Sequence, residues 1–161
     1  MEKLILRKCG DPVLRRKSEE IKEITKETRE LAERMKKTML ENNGAGLAAP
    51  QIGISKRIII VQTEKGPEVF VNPKIIKKST ETTIDEEGCL SVPGVYLKIR
   101  RAKEILVEAQ DLEGRILQVE AKNLAARVFQ HEVDHINGVL IIDKLNFFQK
   151  LKIRNKLKGF S

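Results

Sequence analysis

His131 and His135 stand one helical turn apart with Glu132 beside the first, in the segment Gln130-His131-Glu132-Val133-Asp134-His135. On a helix that spacing sets both imidazoles on one face. Two such imidazoles can share a metal ion, and the adjacent carboxylate can act as a general base, which is the start of a hydrolytic metal site. They are the only two histidines in the chain. A solvated helix can carry the same pattern by chance. Here, however, Leu124, Val128 and Phe129 precede the motif and Ile136, Val139, Leu140 and Ile141 follow it, which predicts a buried helix. Two imidazoles and a carboxylate buried without partners would be costly, and a metal ion removes that cost.

A hydrolytic metal usually takes three protein ligands and keeps one position open for water. Asp134, Asp143 and Cys89 are the candidates for the third. Asp134 lies inside the motif at a helical angle that turns it away from the ligand face, and nothing in the sequence excludes Asp143. Cys89 sits in Glu86-Glu87-Gly88-Cys89-Leu90-Ser91-Val92-Pro93-Gly94, where Gly88 lets the backbone turn sharply. A deprotonated cysteine is a strong ligand, but a free cysteine is also a common buried apolar side chain. Spacing alone does not choose among the three.

These residues must be held by surrounding elements. Thr25 to Asn42 reads as an amphipathic helix with Leu31, Met35, Thr38 and Met39 on one face. Thr25 is its N-cap, with Thr28 at the capping-box position. Gly44-Ala45-Gly46-Leu47-Ala48-Ala49-Pro50-Gln51-Ile52-Gly53 is a run of small residues whose glycines allow close backbone approach, or else a plain loop. Strands are expected at 57–62, 68–71, 74–78, 80–85, 95–100, 104–110 and 115–120, with Lys65-Gly66-Pro67 and Asp111-Leu112-Glu113-Gly114 as turns. Residues 121–137 form the HExxH helix, ended by Gly138, and 144–158 a basic C-terminal helix. Asp11-Pro12 marks a turn in an irregular N-terminal arm. The order predicts an α+β domain over 1–161, with mostly antiparallel strands packed around a central HExxH helix.

At 161 residues, 40% of them hydrophobic, the chain suits one domain with a real core. Charged residues reach 34%, a composition seen in proteins from hot environments. The net charge of +8 fits an anionic neighbour such as RNA, though solubility alone would also account for it. No apolar run approaches the ~20 residues that span a bilayer, and the start lacks a signal-peptide core. A cytoplasmic setting is expected, in which Cys9 and Cys89 stay thiols. Cys9 reads as packing.

Three blocks, Gly44 to Gln51 (GAGLAAPQ), Glu87 to Ser91 (EGCLS) and Gln130 to His135 (QHEVDH), give the chain a close resemblance to the peptide deformylases, which remove the N-formyl group from nascent proteins. Asp11 to Arg15 and Asp111 to Gly114 extend the likeness over nearly the whole chain. The resemblance implies that Cys89, His131 and His135 hold the metal and that Glu132 is the general acid and base. It implies an oxyanion site from Gln51 and the Leu90 N–H, a peptide-binding edge at Gly46 and Leu47, and a pocket for a methionine side chain formed by Leu124 and Val128. It further implies one divalent ion per chain, natively ferrous iron, with zinc, nickel or cobalt also accepted. N-formylmethionyl nascent peptides would be the substrate. Some family members carry a substrate-binding arginine seven residues after the cysteine; here, as in others, the residue is Tyr96.

Similar enzymes dock on ribosomes through a C-terminal helix, and Lys144, Lys150, Lys152, Arg154, Lys156 and Lys158 crowd the end of this chain. The bland counterpart is a solvated helix packed through Leu145, Phe148 and Leu151. Two other functions share some of these features. A general HExxH zinc peptidase needs neither the glycine-rich block nor Cys89. A noncatalytic ribosome-binding protein with a structural metal has no use for Glu132.

Overall fold

The apolar run Ile58-Ile59-Ile60-Val61 is the clearest statement of the architecture. The computed structural model describes residues 2–160, and in it this run forms β2 (Ile58–Thr63), following α1 (Lys26–Glu41) and β1 (Gly46–Ala48). Alternate side chains of a strand point to opposite faces. Ile58 and Ile60 pack with Met35 and Met39 of α1, while Ile59 and Val61 pack with Phe129 and Val133 on the other side. Both faces are covered, so all four residues are apolar and fully buried.

The chain continues through β3 (Gly66–Lys78), β4 (Thr82–Cys89), β5 (Val92–Ala102), β6 (Glu104–Gln110) and β7 (Ile116–Lys122) into α2 (Asn123–Ile136), and later α3 (Phe147–Leu157). One sheet has the order β1-β2-β3-β6-β7, and β4 and β5 form a two-stranded sheet. Every strand pair is antiparallel. A mixed helix and antiparallel-sheet fold was expected, and it is found.

Local chemistry sets the ends of the site-bearing elements. The Thr25 hydroxyl accepts from the Thr28 N–H and the Thr25 N–H donates back to Thr28, a reciprocal cap at the start of α1. At the end of α2, Gly138 adopts φ 77°. A Cβ there would also lie 2.6 Å from the Arg15 carbonyl oxygen, so backbone conformation and space both require glycine.

The structure corrects several sequence-based boundaries. The separate strands expected at 68–71 and 74–78 are one strand, β3, whose register shifts between Val71 and Lys74. Pro73 has no N–H to give the ladder. Next to it Asn72 takes φ 49° and bonds both backbone groups of Ile21. The small-residue run is no plain loop, since it holds β1 and a 3-10 turn at Ala49–Ile52. The basic helix begins at Phe147, not 144, because Asn146 caps it. Its packing was also misassigned. Leu145 is buried, but Phe148 is 73% and Leu151 47% exposed, and Ile153, Leu157 and Phe160 pack instead against the cluster formed by β5 residues with Ile141 and Leu145. No helix of the described residues is long and apolar enough to cross a membrane.

Candidate metal centre and its cleft

α2 and the end of β4 bring three ligand-type atoms together. His135 Nε2 lies 3.1 Å from His131 Nε2 and 3.4 Å from Cys89 Sγ. The potential ligand atoms of Cys89, His131 and His135 all fall within 4.8 Å of one another. Ideal metal–ligand lengths and tetrahedral angles would set nitrogen–nitrogen and nitrogen–sulfur separations of about 3.3 and 3.6 Å. The donor set and its spacing therefore fit one divalent ion. The other two candidate ligands are engaged elsewhere. Asp134 pairs with Arg101 and Lys144. Asp143 pairs with Arg15 and accepts from the Leu140 N–H.

Burial polarises the ionisable groups. Desolvation pushes Glu132 up to about 7, only partly offset by the His131 charge, and its Oε2 is buried without a hydrogen-bond partner. His135 is held well below its ordinary value, first by burial and then by the positive charges of His131 and Arg101; its Nδ1 also has no partner. Burial opposes charge on His131 too. Its hydrogen bonds to Cys89 and Glu87 outweigh it and raise that imidazole to about 10 in the metal-free protein. A metal ion would take the place of that proton.

An open cleft of about 600 Å³ leads to these groups. Gly46, Gln51, Cys89, Leu90, Leu124, Val128, His131 and Glu132 line it. Leu124, expected on a buried helix, is 69% exposed at the cleft rim, because it lies in the first turn of α2. Leu47 does not line the cleft. Its side chain is fully buried against α1 and offers no surface to a peptide. Tyr96 lies across from Gly88 in the β4–β5 register, so close that a Cβ on Gly88 would be 2.8 Å from its ring.

The glycine-rich block has a second use that the sequence did not reveal. A Cβ on Gly46 would sit 2.6 Å from Glu132 Oε1 and 2.8 Å from Val128 Cγ1. The missing side chain lets β1 lie directly on the motif glutamate. Gly46 also has its backbone groups off the sheet. Gln62 N–H donates to Ala45 O, which makes Ala45 and Gln62 a hydrogen-bonded pair. Its neighbour Gly46 then faces the open edge.

Gln51 is oriented by its own amide. Its Oε1 accepts from the Ala48 N–H at 2.9 Å. Its Nε2 is thereby turned toward Ser91 Oγ, at 3.2 Å, and Cys89 Sγ, at 3.7 Å. Gln130, the first residue of the motif, stands outside the chemistry. Its amide bonds both backbone groups of Ala102 and fastens α2 to β5.

A buried ion cluster behind His131 escaped the sequence reading altogether. Glu87 accepts from His131 Nδ1 at 2.9 Å, from Arg101 through two bonds of 2.9 Å, and from Arg127 at 2.6 Å. Burial would raise this carboxyl, but the bonds from His131 and Arg101 bring it down to about 2. Its one sequence signal was an arginine at position 127 among the apolar residues of the motif helix.

The family model described as Polypeptide deformylase matches residues 3–151. The peptide deformylase of Dictyoglomus thermophilum is 52% identical over 139 residues, covering 86% of this chain and 90% of that protein. That of Thermotoga neapolitana is 43% identical over 152 residues, covering 94% and 93%. Among solved structures, the peptide deformylase of Thermotoga maritima superposes with a TM-score of 0.88 at 42% identity, covering 91% of this chain and 99% of that one. The Synechococcus elongatus peptide deformylase, solved with actinonin, gives 0.91 at 40% identity, covering 98% and 87%.

Proposed function

The chain belongs to the peptide deformylase family, metal-dependent hydrolases that remove the N-formyl group from newly made peptides, and on that premise we propose which of its residues do the work. Cys89, His131 and His135 hold the ion, a role supported by the convergence of their ligand atoms. We assign ferrous iron as the native ion, with zinc, nickel or cobalt as substitutes. The bound ion supplies Lewis acidity, which makes water a nucleophile near neutral pH. The 161 residues act as one catalytic domain built to hold the HExxH helix at its centre.

Glu132 is the proton carrier. Buried, with one carboxylate oxygen unpartnered, it can take a proton from water and return it to the leaving amine. Charge building on the formyl oxygen is met by Gln51 Nε2, whose orientation is fixed by Ala48 and Ser91, and by the Leu90 N–H. One such donor is typically worth about 3 kcal/mol in the transition state. The peptide lies along the outward backbone groups of Gly46, as an added strand; Leu47, next in β1 and opposite Ile60, turns its own backbone groups to β2 and holds that edge in place. Leu124 and Val128 offer apolar surface to the methionine side chain.

The observation that carries these roles is the convergence of a Cys-His-His ligand set beside a buried, partnerless Glu132 oxygen. The test is formate release from a formyl-methionyl peptide by iron-loaded protein kept anaerobic, beside the acetylated and unformylated peptides. Only the formyl peptide should react, and Glu132→Ala should keep the metal while turnover is lost. Turnover by that variant at the parent rate would sink the assignment.

We also propose that the enzyme works in the cytoplasm beside the ribosome, with α3 as the contact. Lys150, Lys152, Arg154 and Lys156 are exposed there, and a basic helix on RNA binds in a salt-sensitive way. Reversing these four charges should abolish co-sedimentation with ribosomes at low salt and spare activity on short peptides. Unchanged co-sedimentation would end the idea.

A further inference from the structure

The two histidines of the centre are supported differently. His135 Nδ1 is buried with no partner, whereas His131 Nδ1 meets a carboxylate that is itself held at both oxygens. Glu87 Oε1 faces His131 Nδ1 and Arg101 Nη2, each at 2.9 Å. Its Oε2 faces Arg101 Nε at 2.9 Å and Arg127 Nη1 at 2.6 Å. The arginines are anchored in turn. Arg101 Nη1 reaches Asp134 Oδ2, on the same helix as the histidines, and Arg127 bonds the carbonyl oxygens of Ile99 and Thr83. Glu87, Arg101 and Arg127 are all buried.

We infer that Glu87, clamped by Arg101 and Arg127, is a positioning residue that fixes both the ring plane of His131 and the nitrogen that carries its proton. The inference rests on the metal assignment proposed above. A carboxylate behind Nδ1 accepts an N–H there, which leaves the lone pair of Nε2 for the ion. Partners of this kind orient metal-bound imidazoles and raise their basicity. Geometry makes this one stiff. A single acceptor could swing away with the ring, but Glu87 is gripped from β5 by Arg101 and from α2 by Arg127. β4 supplies both Glu87 and Cys89, so one short segment delivers a ligand and the support for another.

The experiment uses cobalt- and zinc-loaded protein. Glu87→Gln should weaken metal binding by about 10- to 100-fold in competition with a chelator. It should shift the d–d bands of the cobalt protein while the thiolate-to-cobalt band persists, and lower kcat with KM unchanged. Glu87→Asp, which keeps the charge but draws it back, should fall between. A folded Glu87→Gln protein with parental chelator competition and cobalt spectrum overturns the inference. Should that variant fail to fold, the unaltered zinc protein answers the question. It has only two histidines, and nitrogen NMR of the imidazoles should show His131 protonated at Nδ1 and metal-bound at Nε2. The opposite tautomer overturns the inference. A parent protein that binds no stoichiometric cobalt, or shows no thiolate band, overturns the metal assignment itself and this inference with it.

Discussion

A methyl group added at Gly46 should disable Glu132 while leaving the metal ligands in place. In Gly46→Ala the new carbon would lie 2.6 Å from Glu132 Oε1, 2.8 Å from its Cγ and 2.8 Å from Val128 Cγ1. Ordinary contact starts at 3.4 Å, so the carboxylate oxygen and the methyl must separate by about 0.8 Å, beyond what small elastic adjustments of a packed interior absorb. β1 has little room to retreat, since it is paired to β2 and Leu47 and Ala48 are fully buried. The movable part is the glutamate side chain. A misplacement near 1 Å typically costs about 100-fold in rate, or about 2.7 kcal/mol of transition-state stabilisation. Overpacking adds about 1–3 kcal/mol of destabilisation. None of the three nearest contacts is a ligand atom, so metal content should stay at one ion per chain. Steady-state formate release, metal analysis and thermal unfolding would be measured together. A kcat reduced about 100-fold, with full metal and KM little changed, is the expected result. A folded, metal-replete Gly46→Ala enzyme with kcat within threefold of the parent would refute the claim that this glycine exists to admit Glu132.

Further outcomes follow from the same geometry. Ser91→Ala removes one acceptor from Gln51 Nε2 but leaves Oε1 on Ala48; at about 1 kcal/mol per hydrogen bond, kcat should fall about fivefold, and an unchanged kcat would show that Ser91 does not orient the amide. Metal binding should expel a proton, because His131 is raised to about 10 in the metal-free protein; calorimetry at pH 8 should give binding heats that vary with the ionisation enthalpy of the buffer, and invariant heats would contradict it. Stability of the metal-free protein should also depend on pH in a signed way. Glu87 is lowered from 4.5 to about 2, so its contribution is complete above pH 4.5 and vanishes as pH falls through 2. His131 is raised from 6.5 to about 10, so its contribution is complete below pH 6.5 and vanishes as pH rises through 10. Thermal midpoints that stay flat across both windows would speak against the coupling.

Much of the site was legible because it is local. His131, Glu132 and His135 lie within one helical turn, and the 3.6-residue period alone predicts that the imidazoles share a face and that Asp134 leaves it. The reciprocal Thr25–Thr28 cap and the glycine stop after α2 are local in the same sense. Cys89 and Gln51 came from resemblance, since nothing in their spacing demands that they approach the histidines.

Tertiary structure decided the rest. Gly46 as the seat of Glu132, Gln130 as a fastener to β5, the burial of Leu47, and Glu87 gripped by Arg101 and Arg127 are all relations between elements distant in the chain. A break at Pro73 looks the same in the sequence whether the strand ends or bulges, and only the pairing of β3 with β6 shows that it bulges. Phe148 and Leu151 look like packing residues in the sequence because a weakly amphipathic helix does not declare its buried face until the rest of the chain offers a surface. The sequence by itself determined which residues could do chemistry and the periodicity that displays them. Which of them meet was decided by packing, because one-dimensional patterns encode the faces of single elements, whereas contacts between faces depend on how all the elements fill the same volume.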